Sequence, residues 1–100
     1  MVPFAIAIAI AIAFDESGRM LVAEAAKSTV SAYKVRNNGH LKTVQKPLPN
    51  GQETLCWLER AGDFFYGGNT GNSTVSGYRQ DAHGLLALTN EAGIAAAAVR

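Results

Sequence analysis

The chain has one cysteine, two well-separated histidines and no run of basic residues. A single cysteine, Cys56, excludes an intrachain disulfide, and with only His40 and His83 beside it no zinc-type ligand spacing exists. No metal and no cofactor is therefore expected. Nine Lys and Arg stand against eight Asp and Glu, a net charge of +1. They are scattered singly, which argues against a phosphate-tracking nucleic-acid surface. No apolar stretch reaches the roughly 20 residues that cross a bilayer. The apolar start also lacks the marks of an export signal: no Lys or Arg precedes Arg19, and the run ends in the acidic pair Asp15 and Glu16 instead of a small-residue cleavage site. The expectation is a protein that does not enter a membrane, and a cytoplasmic one. The flanks of Cys56, TLCWL, read as strand interior and hence as a buried thiol, against the alternative of a nucleophile.

What is present is a chain of 100 residues, 48% of it hydrophobic but with much of that supplied by Ala, which buries little area. A domain of this size removes only about 60 to 65% of its unfolded surface from water, so the core is thin. The most regular stretch is AIAIAIAIA, Ala5 to Ala13. Strict alternation of a β-branched residue with Ala puts every Ile on one side of a strand and every Ala on the other, whereas a helix would spread the Ile side chains around its circumference. The helix alternative rests on the propensity of Ala alone; the strand is the expectation, with its ends at about residues 5 and 14.

The chain repeats itself. STVSAY at Ser28 to Tyr33 returns as STVSGY at Ser73 to Tyr78, an offset of 45 residues. Gly39 then matches Gly84, Leu41 matches Leu86, Glu24 falls on Asn69 and, with one residue inserted, Gly18 matches Gly62. On this alignment Phe14 stands opposite Leu58. Each copy carries the same strand signals in the same order. A turn at Ser17 and Gly18 leads into a strand at Met20 to Glu24. TVSAYKV alternates as a third strand, Asn37, Asn38 and Gly39 form an Asn-Gly type hairpin turn, and LKTVQ makes a fourth. The second copy reads TLCWLER, DFFYGGN, TVSGYRQ, a turn at Ala82 to Gly84, and LLALT. The expected fold is all-β: two consecutive four-stranded antiparallel sheets, the sequence form of propeller blades. The units are 1–48 and 49–92, with 93–100 a low-complexity tail or the start of a further strand.

These motifs in order, FDESGRMLVAEA, STVSAYKV, NNGHL, PNGQETLCWL and GGNTGNSTVSGYRQDAHGLL, resemble the lactonase family of seven-bladed β-propellers, which includes 6-phosphogluconolactonases and carboxymuconate cyclases. The likeness spans about Phe14 to Thr89. It implies a metal-free hydrolysis or formation of a sugar-acid or muconate lactone, by proton transfer from a carboxylate or imidazole. Seven such units need about 300 residues at roughly 45 each, so the present chain reads as a two-blade fragment. Under the resemblance Glu24, at the end of the second strand, is the candidate catalytic carboxylate and Asn69 the candidate substrate-binding residue. The bland alternatives are a solvated strand-end carboxylate and a turn asparagine. The partner implied is a small-molecule lactone or sugar acid.

The remaining polar and aromatic residues have simpler readings. His40 and His83 flank the glycines of hairpin turns, and exposure is expected for both. Arg19 and Arg60 are expected at the surface, and Trp57 in the core between units. Gly67, Gly68 and Gly71 are not followed by a helix and so form no phosphate cradle. Two sheets leave broad apolar flanks and unpaired edges, which makes a self-assembling homo-oligomer or a binding module the alternative to an enzyme.

Overall fold

The computed structural model describes residues 9–97. Eight strands form two antiparallel meanders. β1 (Ala9–Phe14), β2 (Met20–Glu24), β3 (Thr29–Val35) and β4 (Leu41–Pro49) lie in the order β1-β2-β3-β4. β5 (Leu55–Ala61), β6 (Phe64–Asn69), β7 (Thr74–Gln80) and β8 (Leu86–Leu88) follow in the order β5-β6-β7-β8, and a short β9 (Ala96–Ala97) also pairs with β7. The fold is all-β, as the alternation of apolar and polar residues requires, and no helix among the described residues is long and apolar enough to cross a membrane.

The two sheets repeat down to their irregularities. Glu24 pairs with Thr29 and Asn69 with Thr74, in the same register across β2–β3 and β6–β7. In the first sheet β1 skips one residue between Ala9 and Ala11 against Glu24 and Ala23; in the second β5 skips one between Leu55 and Trp57 against Asn69 and Gly68. Each is a β-bulge with one extra residue on the first strand of its sheet. Val22 pairs with Ile12 and its equivalent Gly67 with Leu58. The residue matching Leu58 is therefore Ile12, two positions before the Phe14 that sequence alignment places there. The cause is the first turn. Five residues separate β1 from β2 but only Gly62 and Asp63 separate β5 from β6, so the length difference runs opposite to the insertion inferred from matching glycines. The bulge also relocates Cys56. It is the extra residue of β5, half-buried, with its sulfur 3.1 Å from the Thr70 hydroxyl, and is not in the core as the sequence suggests.

The sheets stack so that unlike faces meet. Leu21, Ala23, Val30 and Ala32 form one face of the first sheet, with Ala11, Ala13, Val44 and Leu48 at its margins. They pack against Leu55, Leu58, Phe65, Tyr78 and Leu86 of the second. The equivalents of Phe65 and Tyr78 are Met20 and Tyr33, which lie on the opposite face of the first sheet, beside Val22, Glu24 and Ser31. The contact is thus front of the second sheet to back of the first. Small residues on the back (Ala11, Ala13, Ala23, Ala32) admit the large front residues Phe65 and Tyr78, both essentially fully buried, as dense interiors demand.

One residue ties the sheets together at the hairpin-turn end. Asp15, buried in the β1–β2 turn, accepts from the backbone N–H groups of Ser17 and Arg19, both at 2.9 Å. Its second oxygen accepts from Arg19 Nη1 and from Gln80 Nε2 of the other sheet, again at 2.9 Å. Arg19 is therefore half-buried and paired, where the sequence suggests a surface role. Burial pushes the Asp15 carboxyl up, but the Arg19 N–H and guanidinium and the Gln80 amide outweigh it and hold the group below 3.8. A carboxylate whose pKa falls on folding adds stability above its unfolded pKa and loses it as pH drops through the folded one. Urea midpoints should accordingly be flat above about pH 5 and fall below about pH 4. Asp15→Asn should cost about 1.5–3 kcal/mol at pH 7 and less at pH 3, so that its curve converges on the parent's in acid.

Candidate functional site

The buried polar residues gather at the other end of the sheets, where β2 turns into β3, β6 into β7 and the chain crosses from β4 to β5. Glu24 is completely buried, so it is not a solvated strand-end carboxylate. Its Oε1 accepts from the Thr29 hydroxyl at 2.8 Å and the Ser31 hydroxyl at 2.9 Å. Its Oε2 is buried and has no hydrogen-bond partner among the described residues. Asn69, the equivalent position, is also buried and is the last residue of β6, not a turn residue. Its Nδ2 donates to Thr74 Oγ1 at 3.1 Å and to Ser76 Oγ at 2.9 Å. Its Oδ1 accepts from Asn50 Nδ2 at 2.9 Å.

The same hydroxyl pair therefore runs in opposite directions in the two sheets. Around Glu24 the Thr and Ser hydroxyls give their protons to the carboxylate. Around Asn69 they accept from the amide and pass their own protons outward, Thr74 to Asn72 Oδ1 at 2.8 Å and Ser76 to the carbonyl of Gly93. A hydroxyl is one donor and two acceptor sites, so Thr-x-Ser serves an acid and an amide equally. Acid in one copy and amide in the other is an exchange that leaves the strand pairing untouched.

Asn50 completes the second network. It lies just after β4, is buried, and donates also to the Tyr78 hydroxyl at 3.1 Å, while its Oδ1 accepts from Gln52 N at 2.8 Å. Burial pushes the Tyr78 phenol up, partly offset by its bonds to Asn50 and Ser76. Nothing in the local sequence marks Asn50, because its partners lie 19 and 28 residues away. Ser28 binds the crossing to the first sheet: its hydroxyl accepts from Leu55 N at 3.2 Å and its carbonyl from Asn50 N at 3.2 Å.

Glu24 and Asn69 do not share an opening. Each projects from the front of its own sheet, and because the sheets stack front to back, the first sheet lies between them. Asn69 contributes instead to the lining of a groove of about 450 Å³ along the second sheet, with Trp57, Gly68, Val75, Ala96 and Ala97. Trp57 is 43% exposed, outside the core expected for it. Its indole lies on Gly68, where an added Cβ would fall 1.8 Å from the ring nitrogen. That close approach explains at least one glycine of YGGNTGN without any anion. His40 and His83 are exposed in their turns, as the sequence suggests, with their backbone N–H groups donating to Asn38 at 3.1 Å and Asp81 at 2.8 Å. Arg60 is exposed as well. No group of three or more potential metal ligands occurs among the described residues.

No protein-family model, curated protein or solved structure matches the chain.

Proposed function

We propose that the chain is a two-blade module of the β-propeller type that works by associating with copies of itself. The supporting observation is the front-to-back stacking together with what it leaves uncovered. Inside the chain, Ala11 on the back of β1 is covered by the second sheet. Its equivalent on β5 is Trp57, which is 43% exposed. Leu58 on the front of β5 is buried against the first sheet; its equivalent on β1 is Ile12, which is 54% exposed, as is Phe14 two residues on. Two of the exposed large apolar side chains, Trp57 and Ile12, thus occupy positions that the internal seam covers. The front of the central strands β2 and β3 is already buried, so the seam between copies is confined to the first strands, Trp57 of one copy against Ile12 and Phe14 of the next. Aromatic anchors of this kind dominate association energies.

The expected mass in solution is several times 10.6 kDa, and Trp57→Lys should reduce it to one chain without loss of β-sheet circular dichroism. A folded parent protein that sediments as a monomer at every concentration removes the reading.

A second reading, proton-transfer chemistry on a lactone or sugar acid with Glu24 as the acting group, is favoured by the unpartnered Oε2. A buried carboxylate oxygen with no donor among the described residues is expensive and calls for an explanation. Lactone turnover by the associated protein that disappears in Glu24→Gln would support it; associated protein with no turnover would count against it.

A further inference from the structure

The hairpin-turn end of the molecule carries a feature that neither reading uses. Lys34 of β3 and Lys42 of β4 are direct cross-strand partners. Both are exposed, and like charges placed opposite one another destabilise a sheet, a cost that an anion bound between them would relieve. Alternation puts Lys34 on the same face as Ala32, the face turned toward the second sheet. There the two lysines line a cleft of about 440 Å³ together with Ser17, Gly18, Arg19 and His83. No carboxylate lines that cleft. A second hollow on the adjoining rim shares Lys34 and Lys42 and adds Arg36.

The third cation is held in place. Arg19 is fixed through Nη1 to Asp15 and lies against Gly84, whose added Cβ would come within 2.8 Å of the guanidinium carbon. A side chain at position 84 would push Arg19 out of the cleft, and the positive φ of 90° at Gly84 makes any substitution there strained as well. Asp15 offsets part of the Arg19 charge. Neither Lys34 nor Lys42 forms a salt bridge among the described residues, where the Asp15–Arg19 pair is the one present. The carboxylates at this end, Asp15, Glu16, Asp63 and Asp81, line a neighbouring hollow on the far side of Arg19 and not the cleft itself.

We infer that the cleft between the β3–β4 hairpin and the β7–β8 turn binds a small anion carrying two or more negative charges. Lys34 and Lys42 straddle it, and Arg19 closes the inner end. Ammonium groups bind phosphate or carboxylate oxygens as point charges, and a preset guanidinium adds direction.

The test is titration of the folded chain with inorganic pyrophosphate and, separately, citrate, at constant ionic strength made up with sodium chloride, followed by amide chemical shifts. Saturable one-to-one binding is expected, with shifts at residues 17–19, 34–42 and 83. The double variant Lys34→Gln, Lys42→Gln should weaken it at least tenfold, and Lys34→Arg should keep it within about threefold. Removing like-charge repulsion should leave the double variant melting at or above the parent temperature, so lost binding would not report unfolding. Binding of pyrophosphate alone identifies phosphate chemistry, and equal binding of both anions identifies charge alone. Non-saturable shifts with both, or affinity unchanged in the double variant, overturns the site.

Discussion

Phe65→Ala should lower unfolding free energy by about 3–5 kcal/mol, among the largest losses expected of a single truncation. Phe65 is 1% exposed and stands on the front of the second sheet against the small-residue back of the first. Removing its ring opens a cavity that neighbours fixed in two sheets cannot close. For a domain of this length each kcal/mol lowers the melting temperature by roughly 4–8 °C, so a drop of about 12–40 °C is expected. The diagnostic comparison is Met20→Ala. Met20 occupies the same place in the first sheet but is only partly buried and lies outside the shared core. Its truncation should cost less than half as much in the same urea titration. Equal costs would mean that the two sheets do not meet front to back.

Asn69→Ala should cost about 3 kcal/mol, nearly as much, for a different reason. It removes little volume but leaves three buried groups short of a partner: the Asn50 amide loses an acceptor, and Thr74 and Ser76 lose a donor. Each of the three keeps another bond, to Tyr78, Asn72 and Gly93 respectively, so the loss is that of three buried hydrogen bonds at about 1 kcal/mol each. Asn50→Ala should cost a similar amount, and the double variant much less than the two together, since one network is removed twice. Additive losses would show that Asn50 and Asn69 do not act as one unit. Asn69→Glu is the sharper substitution. The acid is tolerated between Thr29 and Ser31, but in the second sheet it would require Thr74 and Ser76 to reverse their protons and abandon Asn72 and Gly93.

Much of the fold is legible in the sequence. The turn at Ser17 and Gly18 marks β2, and the alternation in TVSAYKV with its repeat in TVSGYRQ marks β3 and β7, to the residue. The first strand is a different matter. AIAIAIAIA keeps its pattern after a shift of two residues, so its hydrophobicity carries no information about register. The β1–β2 turn held by Asp15 fixes the register of Ala11–Phe14, and the bulge between Ala9 and Ala11, a backbone irregularity with no sequence signature, shifts it beyond that point. Cys56 lies outside the core for the same reason, since the bulge in β5 reverses the facing of everything on one side of it.

The candidate site was half legible. The repeat alignment brought Glu24 and Asn69 to equivalent positions, but the substitution of an amide for an acid gave no hint that both serve the same two hydroxyls. Asn69 was ambiguous because GGNTGN has the composition of a turn, and composition does not register that its side chain points inward. Asn50 could not be found at all from local pattern, because its importance comes entirely from contacts made across the chain.

The front-to-back order of the sheets gives any association through the first strands a direction. A row of copies would have two unlike ends, one presenting Trp57 and the other Ile12 and Phe14. A variant blocked at Trp57 would still dock by its intact end and stop growth there, so a small fraction of it mixed into parent protein should shorten assemblies out of proportion to its amount. Only closure into a ring removes both ends, and a ring admits one number of copies, set by the angle between neighbouring sheets. Discrete assembly size and sensitivity to a minority of capped chains are two outcomes of the same geometry, and the second distinguishes an open row from a ring that has already closed.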